Sequence, residues 1–476
     1  MTNQIGQTDD TQNLEELYRE ADYWHVNTGE TTIHAKRMPG RYRTLKWITM
    51  SVWLVFFLGP YLRWEGRQAI MWDIPNRKFH IFDITILPQD VWMLALLLLF
   101  FALLLAAVTS LAGRVFCGYF CFQTVWTDIF TWIEEKLEGS ANKRMKLDQA
   151  PWTVAKLRIK VIKHAIWLLI GIITGISFTL WFGDAFKLWH AYFTLQAPLI
   201  AWATVGLFTF FTYLFAGHMR EQVCFWLCPY ARIQGVMVDR TTVLPTYDFA
   251  RGEPRGKLKK GTEATPNKQG DCIDCKQCVA VCPTGIDIRR GQQEGCITCA
   301  LCLDACDAVM DKIKRPLGLI RYASLDEVEG KPAPSFYKRP RVMVYFVTMV
   351  LALSGIVYGL INLPGIDLHV LHERQPLFVR LKDGSIQNKY ELKVLNKTNQ
   401  DIRVEITVSG PAALQSVGID EPVALKQGDV SEHTVYLRLP AEDLHTDHVH
   451  VTFHLQSVTH PGLSTDYESN FFGPKP

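Results

Sequence analysis

Residues 271–285 read DCIDCKQCVAVCPTG, and residues 296–306 read CITCALCLDAC. Cys272, Cys275, Cys278 and Cys282-Pro283 give the spacing C-x2-C-x2-C-x3-C-P. Cys296, Cys299, Cys302 and Cys306 repeat it, with Asp307 in place of the proline. Three thiolates at two-residue gaps wrap one face of a cubane, while the fourth lies too far round the chain. In two-cluster ferredoxins the fourth cysteine therefore ligates the other cluster. The spacing predicts one [4Fe–4S] cluster on Cys272, Cys275, Cys278 and Cys306, and a second on Cys296, Cys299, Cys302 and Cys282. Structural zinc also uses C-x2-C, but as two pairs per site rather than two runs of four. Two such clusters form a one-electron wire.

The rest of the chain is of a different kind. All fourteen tryptophans lie at or before Trp226, and all twelve cysteines lie between Cys117 and Cys306, so the protein is modular. Charge is nearly balanced, 50 Lys+Arg against 47 Asp+Glu, and nothing global points to nucleic acid. Five apolar runs are long enough for a bilayer core, which takes about 20 residues: 45–64, 91–112, 161–182, 193–216 and 342–363. The polar start MTNQIGQTDDTQNLEELYRE has no apolar stretch of the kind that precedes signal cleavage, so insertion rests on these internal runs. Lys36, Arg37, Arg41 and Arg43 precede the first run, and residues 114–160 carry eight Lys/Arg, whereas 183–192 carry only Lys187. Basic loops stay cytoplasmic. The N-terminus and the 217–341 segment are expected inside and the C-terminus outside. All twelve thiols then face the reducing side, where structural disulfides are not expected.

After the fifth run the period changes to two. IRVEITV (402–408), TVYLRL (434–439) and VHVTFHL (449–455) alternate apolar and polar residues, which predicts a β-sandwich. The expected order is a cytoplasmic segment 1–43, a four-helix membrane domain 44–217, and a cytoplasmic segment 218–260. A dicluster ferredoxin-like α+β segment 261–312, a linker 313–341, a fifth span 342–363 and an exported all-β domain 364–476 follow. The fold class is a multi-domain membrane protein.

Each of two membrane hairpins ends in an arginine and then a cysteine pair: RVFCGYFC with Cys117 and Cys121, and REQVCFWLCP with Cys224 and Cys228. The i,i+4 spacing puts both sulfurs of a pair on one face of a helical turn. Membrane cysteines also serve simply as small packing residues. If the hairpins pack together, four soft thiolates suit Cu(I), a further Fe–S cluster or a dithiol couple. His164 is the sole histidine inside an apolar run and reads as interfacial, which disfavours an intramembrane haem. His445, His448, His450 and His454 form a last cluster: a polar solvent face, or imidazoles spaced for Cu(II).

Together these stretches resemble the cytochrome c oxidase accessory protein family CcoG, also called FixG or RdxA. The resemblance is carried by CGYFCFQTVWTDIFTWIE (117–134), REQVCFWLCPYARIQGVM (220–237), TYDFARGEPRG (246–256) and the segment from GDCIDC to GLIRYAS, and it covers nearly the whole chain. Phe122 departs from the proline that the family carries after the first cysteine pair. The resemblance implies a multi-pass protein of the bacterial cytoplasmic membrane with a periplasmic immunoglobulin-like domain. It also implies a role in biogenesis of cbb3-type haem–copper oxidase, through reduction of Cu(II) to Cu(I). On this reading a cytoplasmic donor loads the two clusters, and Cys117, Cys121, Cys224 and Cys228 pass electrons to copper. Oxidase subunits or copper chaperones are the expected partners. An electron-transfer module carrying quinol electrons to an exported reductase, and a non-enzymatic assembly scaffold, are the alternatives.

Overall fold

The computed structural model describes residues 33–474, apart from 76, 83, 87–89, 258–269, 333, 363, 399, 420, 429 and 445. Among the described residues four helices are long and apolar enough to cross a membrane: Val91–Ala112, Val154–Phe182, Leu199–Met219 and Pro340–Ile361. The run 45–64, expected to be a fifth, is instead a succession of short pieces. Helix Arg41–Met50 passes into a 3₁₀ turn Ser51–Trp53, helix Leu54–Leu58 and a 3₁₀ turn Gly59–Tyr61. Ser51 and Leu54 keep right-handed helical dihedrals, so the rod is continuous but locally tightened. Two causes are visible. The Ser51 hydroxyl donates back to Ile48 O at 2.6 Å, which competes with the helix ladder, and Pro60 supplies no N–H. Val52, Leu54, Val55 and Leu58 face outward along it.

Helix starts also shift from expectation. The 161–182 run begins earlier, at Val154, because Thr153 caps it: its hydroxyl accepts from Lys156 N–H at 3.2 Å. The 193–216 run begins later, at Leu199, behind Pro198 at the cap and a separate helix Ala185–Phe193. The two long helices then pack through small residues. A Cβ on Gly175 would stand 2.8 Å from Val205 O, and one on Gly171 3.2 Å from Thr209 O, so glycine permits this approach.

Two compact units make up the chain. One consists of the described residues up to Gly59 with Leu97–Leu180 and Leu188–Leu353, and holds every cysteine. Besides its long apolar helices it contains helices Phe122–Glu138 and Leu301–Lys312, and a two-stranded antiparallel ribbon, Leu244–Tyr247 with Ile320–Ala323.

The other unit consists of Pro60–Leu96, Trp181–Lys187 and the chain from Ser354. Two antiparallel sheets form its sandwich. One orders Gln415–Val417, Val430–Leu439, Ile386–Asn396 and Ile366–His372, with Val379–Arg380 also on Ile386–Asn396. The second orders Val423–Leu425, Ile402–Ser409, His448–Ser457 and Ser464–Phe472. Alternate side chains such as Leu392, Val404, Leu437 and Phe453 turn inward and are fully buried, as period-2 patterning requires. Sequence reasoning missed a small three-stranded sheet, Ile70–Asp73, Lys78–Ile81 and Ile84–Ile86, in what read as a connector. In the same unit Lys397 is buried and reaches Asp90 at 3.2 Å and Asp367 at 3.3 Å.

Candidate metal centres

The two runs of four cysteines fold by one repeated device. Asp274 and Lys276 in the first loop, and Thr298 and Ala300 in the second, take positive φ of 50°, 56°, 56° and 57°. Left-handed dihedrals cost non-glycine residues of order 1–3 kcal/mol and persist only where the surroundings impose them. Here they curl each C-x2-C-x2-C stretch so that its sulfurs turn inward. A short helix follows each curl, Gln277–Ala280 and Leu301–Lys312. One small cavity is walled by Cys272, Cys275, Cys278 and Cys306, with Tyr247 and Arg289. A second is walled by Cys282, Cys296, Cys299 and Cys302, with Cys278 at its edge. Each quartet combines three cysteines of one loop with the fourth of the other.

Burial pushes the thiols of Cys278, Cys296 and Cys306 up to about 12, and raises Cys282 and Cys302 as well. As free groups they are neutral, and iron would take the place of their protons. Among the described residues no three His, Cys, Asp or Glu side chains converge on a single ion's position. Sulfurs arranged around a cavity suit a cubane, which has volume, better than a point-like ion. The residues present thus fit two [4Fe–4S] groups.

The membrane-side cysteines do not lie within single helical turns, contrary to the i,i+4 reading. Cys117 is inside the short helix Val115–Tyr119, and Cys121 is the extended N-cap of Phe122–Glu138. Cys224 is inside the π-turn Val223–Leu227, and Cys228 is the extended N-cap of Pro229–Met237. Both pairs straddle a helix break in the same way, because a cap residue must leave helical dihedrals. This also explains Phe122. It stands at the first helical position, as Pro229 does in the other pair, and that position needs no donor and accepts either residue.

The two pairs are brought together. Gln123 Nε2 donates to Phe215 O at 2.8 Å and Arg220 O at 3.1 Å, tying helix Phe122–Glu138 to the segment that leads into Cys224. In return, Cys117 Sγ donates to Gln234 Oε1 at 3.0 Å, and Gln234 Nε2 donates to Thr109 Oγ1 at 3.2 Å. Burial raises the Cys117 thiol to about 11 and Cys224 to about 12; each is also raised by the charges of Cys121 and Cys228. The quartet adjoins the second cysteine loop. Cys117 packs with Val281, Ile297, Cys299 and Leu301 in one buried cluster. A Cβ on Gly118 would lie 2.5 Å from Ile297 O and 3.0 Å from Cys299 Cα, so only glycine allows this contact. Tyr119 and Tyr322 pin the same loop by donating to Cys299 O at 3.1 Å and Thr298 O at 2.8 Å.

Glu134 forms a buried hub. Oε1 accepts from Arg220 at 2.6 Å and Lys163 at 3.2 Å, and Oε2 accepts from Arg144 at 3.0 Å. Burial works to raise its pKa, yet Arg220, Lys163 and Arg144 outweigh it and hold the carboxyl at about 2. Arg220 itself has φ 45°, so the hub fastens a strained residue four positions before Cys224.

The histidines are occupied otherwise. His164 Nδ1 meets the Tyr213 hydroxyl at 3.0 Å, and its ring stacks on His218 at 5.9 Å. His454 uses both ring nitrogens, on Asp466 and on Ser409, each at 2.7 Å. His448 pairs with Asp447 at 2.7 Å. His445 lies outside the described residues. His454 is thus engaged on both sides, while His448 and His450 stand side by side and exposed on the polar face of the strand. Gln123, Gln234, Glu134 and Tyr119 were not singled out from sequence; their closeness in sequence to the two cysteine pairs was the available signal.

Fold and site together define a membrane-associated iron–sulfur protein. Family profiles agree: a 4Fe-4S binding domain matches residues 94–139, a 4Fe-4S dicluster domain matches 219–325, and an IG-like fold at the C-terminal of FixG matches 356–474. The chain is 42% identical to "Nitrogen fixation protein FixG" of Rhizobium meliloti (strain 1021), over 81% of its own length and 80% of that relative. It is 42% identical to "Protein RdxA" and 43% to "Protein RdxB" of Cereibacter sphaeroides, over 83% and 81% of its length and 87% and 84% of theirs. The chain belongs to the FixG/RdxA family. A crystal structure of a FixG-related protein from Vibrio parahaemolyticus aligns with 23% of the chain and 97% of that structure, at 22% identity and TM-score 0.21.

Proposed function

We propose that this protein is a cupric reductase of the cytoplasmic membrane, supplying Cu(I) for assembly of a cbb3-type haem–copper oxidase. One observation supports the reading: Cys117 shares a buried cluster with Cys299 of the second ferredoxin-type loop, and Cys224 lies near Cys117, Cys121 and Cys228, although among the described residues these thiols do not already converge on a single ion's position. Cys272, Cys275, Cys278 and Cys306 hold one cluster, and Cys296, Cys299, Cys302 and Cys282 the other. When bound, the clusters supply one-electron storage. The protein's own part is geometric. Gly118, Tyr119 and Tyr322 hold the second loop against Cys117, while Gln123 and Gln234 hold the two thiol pairs together. Cu(II) is the substrate. Thiolate ligands favour Cu(I), whereas Cu(II) prefers nitrogen and oxygen, so a thiolate site pulls the couple toward reduction. Each electron converts one Cu(II) to Cu(I), and no protein bond breaks.

The helical rod 41–61 serves as the fifth crossing, with the cysteine sites cytoplasmic and the sandwich exported. A cytoplasmic donor loads the clusters, and oxidase subunits or copper chaperones receive the product. The test uses full-length protein, reduced without oxygen, freed of reductant and mixed with Cu(II) and a Cu(I)-specific chelator. About two Cu(I) per chain should form, one for each cluster oxidised. Cluster oxidation without Cu(I), or no oxidation at all, contradicts the proposal.

A further inference from the structure

Arg114 is a buried cation without a carboxylate partner among the described residues. Only 4% of it is exposed. Its backbone N–H donates to Thr298 Oγ1 at 3.1 Å, and Nη1 donates to Glu294 O at 2.6 Å. Nε and Nη2 are buried and meet no oxygen or nitrogen acceptor, and the guanidinium lies within reach of the Cys117 sulfur. Burying a charge costs several kcal/mol unless something answers it. What lies near it is sulfur: Glu294 and Thr298, the two residues it bonds, flank Cys296 of the second ferredoxin-type set, and Cys117 of the membrane quartet sits in the helix that Arg114 caps. These cysteines come from two segments of the chain, and a single cation stands between them. The arginine at the matching place in the second hairpin is used differently, since Arg220 is neutralised by Glu134 at 2.6 Å.

We propose that Arg114 is the shared counter-charge of the second cluster and the membrane thiol quartet, its free Nε–H and Nη2–H donating to ligand sulfur once the thiolates are metal-bound. A reduced centre carries one more negative charge than its oxidised form. A fixed cation and N–H donors to sulfur therefore favour reduction and raise the potential. Arginine suits the task because it stays charged when buried, and its fork can hold the Glu294 carbonyl while presenting further donors. Arg114 is thus a positioning and tuning residue that keeps both neighbouring centres ready to accept an electron. The quartet half of this inference rests on the proposed function; the Cys296 half does not.

The experiment compares full-length wild type, Arg114→Met and Arg114→Lys, all anoxic, with arginine labelled by nitrogen-15 in the guanidinium only. Iron content, redox titration followed by EPR, and pulsed-EPR hyperfine coupling are read on each. Wild type should show a nitrogen-15 coupling to the reduced second cluster that is absent in Arg114→Lys. Iron-replete Arg114→Met should lower one cluster's reduction equilibrium at least tenfold, about 59 mV for one electron, and Arg114→Lys less. An unchanged midpoint in iron-replete Arg114→Met overturns the inference, as do identical nitrogen-15 spectra in wild type and Arg114→Lys; Arg289, at the wall of the first cavity, supplies a coupling common to both. If Arg114→Met loses iron, the coupling in wild type and Arg114→Lys decides the matter. None of these readouts involves copper, so failure of the reductase reading leaves them intact.

Discussion

Replacing Glu134 by glutamine removes the carboxylate on which Arg220, Lys163 and Arg144 converge, at 2.6, 3.2 and 3.0 Å. The side chain is only 4% exposed, so water cannot take over its role. Breaking a buried ion pair by removing one partner costs about 3–5 kcal/mol, because the remaining charges are left uncompensated. Linkage gives a similar figure. The carboxyl is held at about 2 against an ordinary 4.5, and at about 1.4 kcal/mol per pH unit this is worth about 3 kcal/mol. The sign follows from the depressed value: this stability is fully present above pH 4.5 and is lost as pH falls through about 2. Glu134→Gln should therefore unfold about 3 kcal/mol more easily near neutral pH, and should lack wild type's loss of stability between these two values. Denaturant unfolding in detergent can be followed by tryptophan fluorescence, since Trp167 stacks on Phe130 at 5.0 Å and lies 4.7 Å from the Lys163 ammonium. With Arg220 released, Cys224 in cluster-free protein should also be alkylated faster. A variant within about 1 kcal/mol of wild type refutes the hub, since that is the range of exposed pairs.

Other expectations follow from the same geometry. Gly118→Ala forces a Cβ against Ile297 O at 2.5 Å; overpacking of this kind costs about 1–3 kcal/mol, and hydrogen exchange across 294–299 should speed up. Cys275→Ser should reduce iron from about eight to about four per chain, and equal iron in variant and wild type contradicts the ligand assignment. His448→Ala with His450→Ala should change sandwich stability by no more than about 0.5 kcal/mol, because both side chains are exposed on a strand whose buried face is Val451, Phe453 and Leu455; a larger loss shows that the face is covered.

The clearest information in the sequence was strictly local. Cysteine spacing marked both ferredoxin-type loops because ligand geometry constrains neighbouring residues, and period-2 runs marked the sandwich because pleating alternates the faces. Unbroken apolar length marked Val91–Ala112 to the residue. The failures were contextual. Run 45–64 was read as one long helix; it stays a continuous rod, but the Ser51 back-bond and Pro60 divide it into short α and 3₁₀ pieces, so it is not among the four long apolar helices. The i,i+4 spacing of the thiol pairs implied a helical turn, yet Cys121 and Cys228 are caps, which depends on where the following helix begins. Glu134 looked like any charge on an amphipathic helix. Its partners at 144, 163 and 220 lie on other elements, and no periodicity connects them.

The central claim is that electrons held by the ferredoxin-type sites leave through Cys117, Cys121, Cys224 and Cys228 to copper. The most direct measurement takes Cys224→Ser with Cys228→Ser in the full-length protein, reduced without oxygen, and records cluster EPR and Cu(I) yield on one preparation. The account predicts about eight irons and reducible clusters as in wild type, with Cu(I) formation lost. Cu(I) formation at the wild-type rate, with the clusters intact, would contradict it and place the exit for electrons elsewhere.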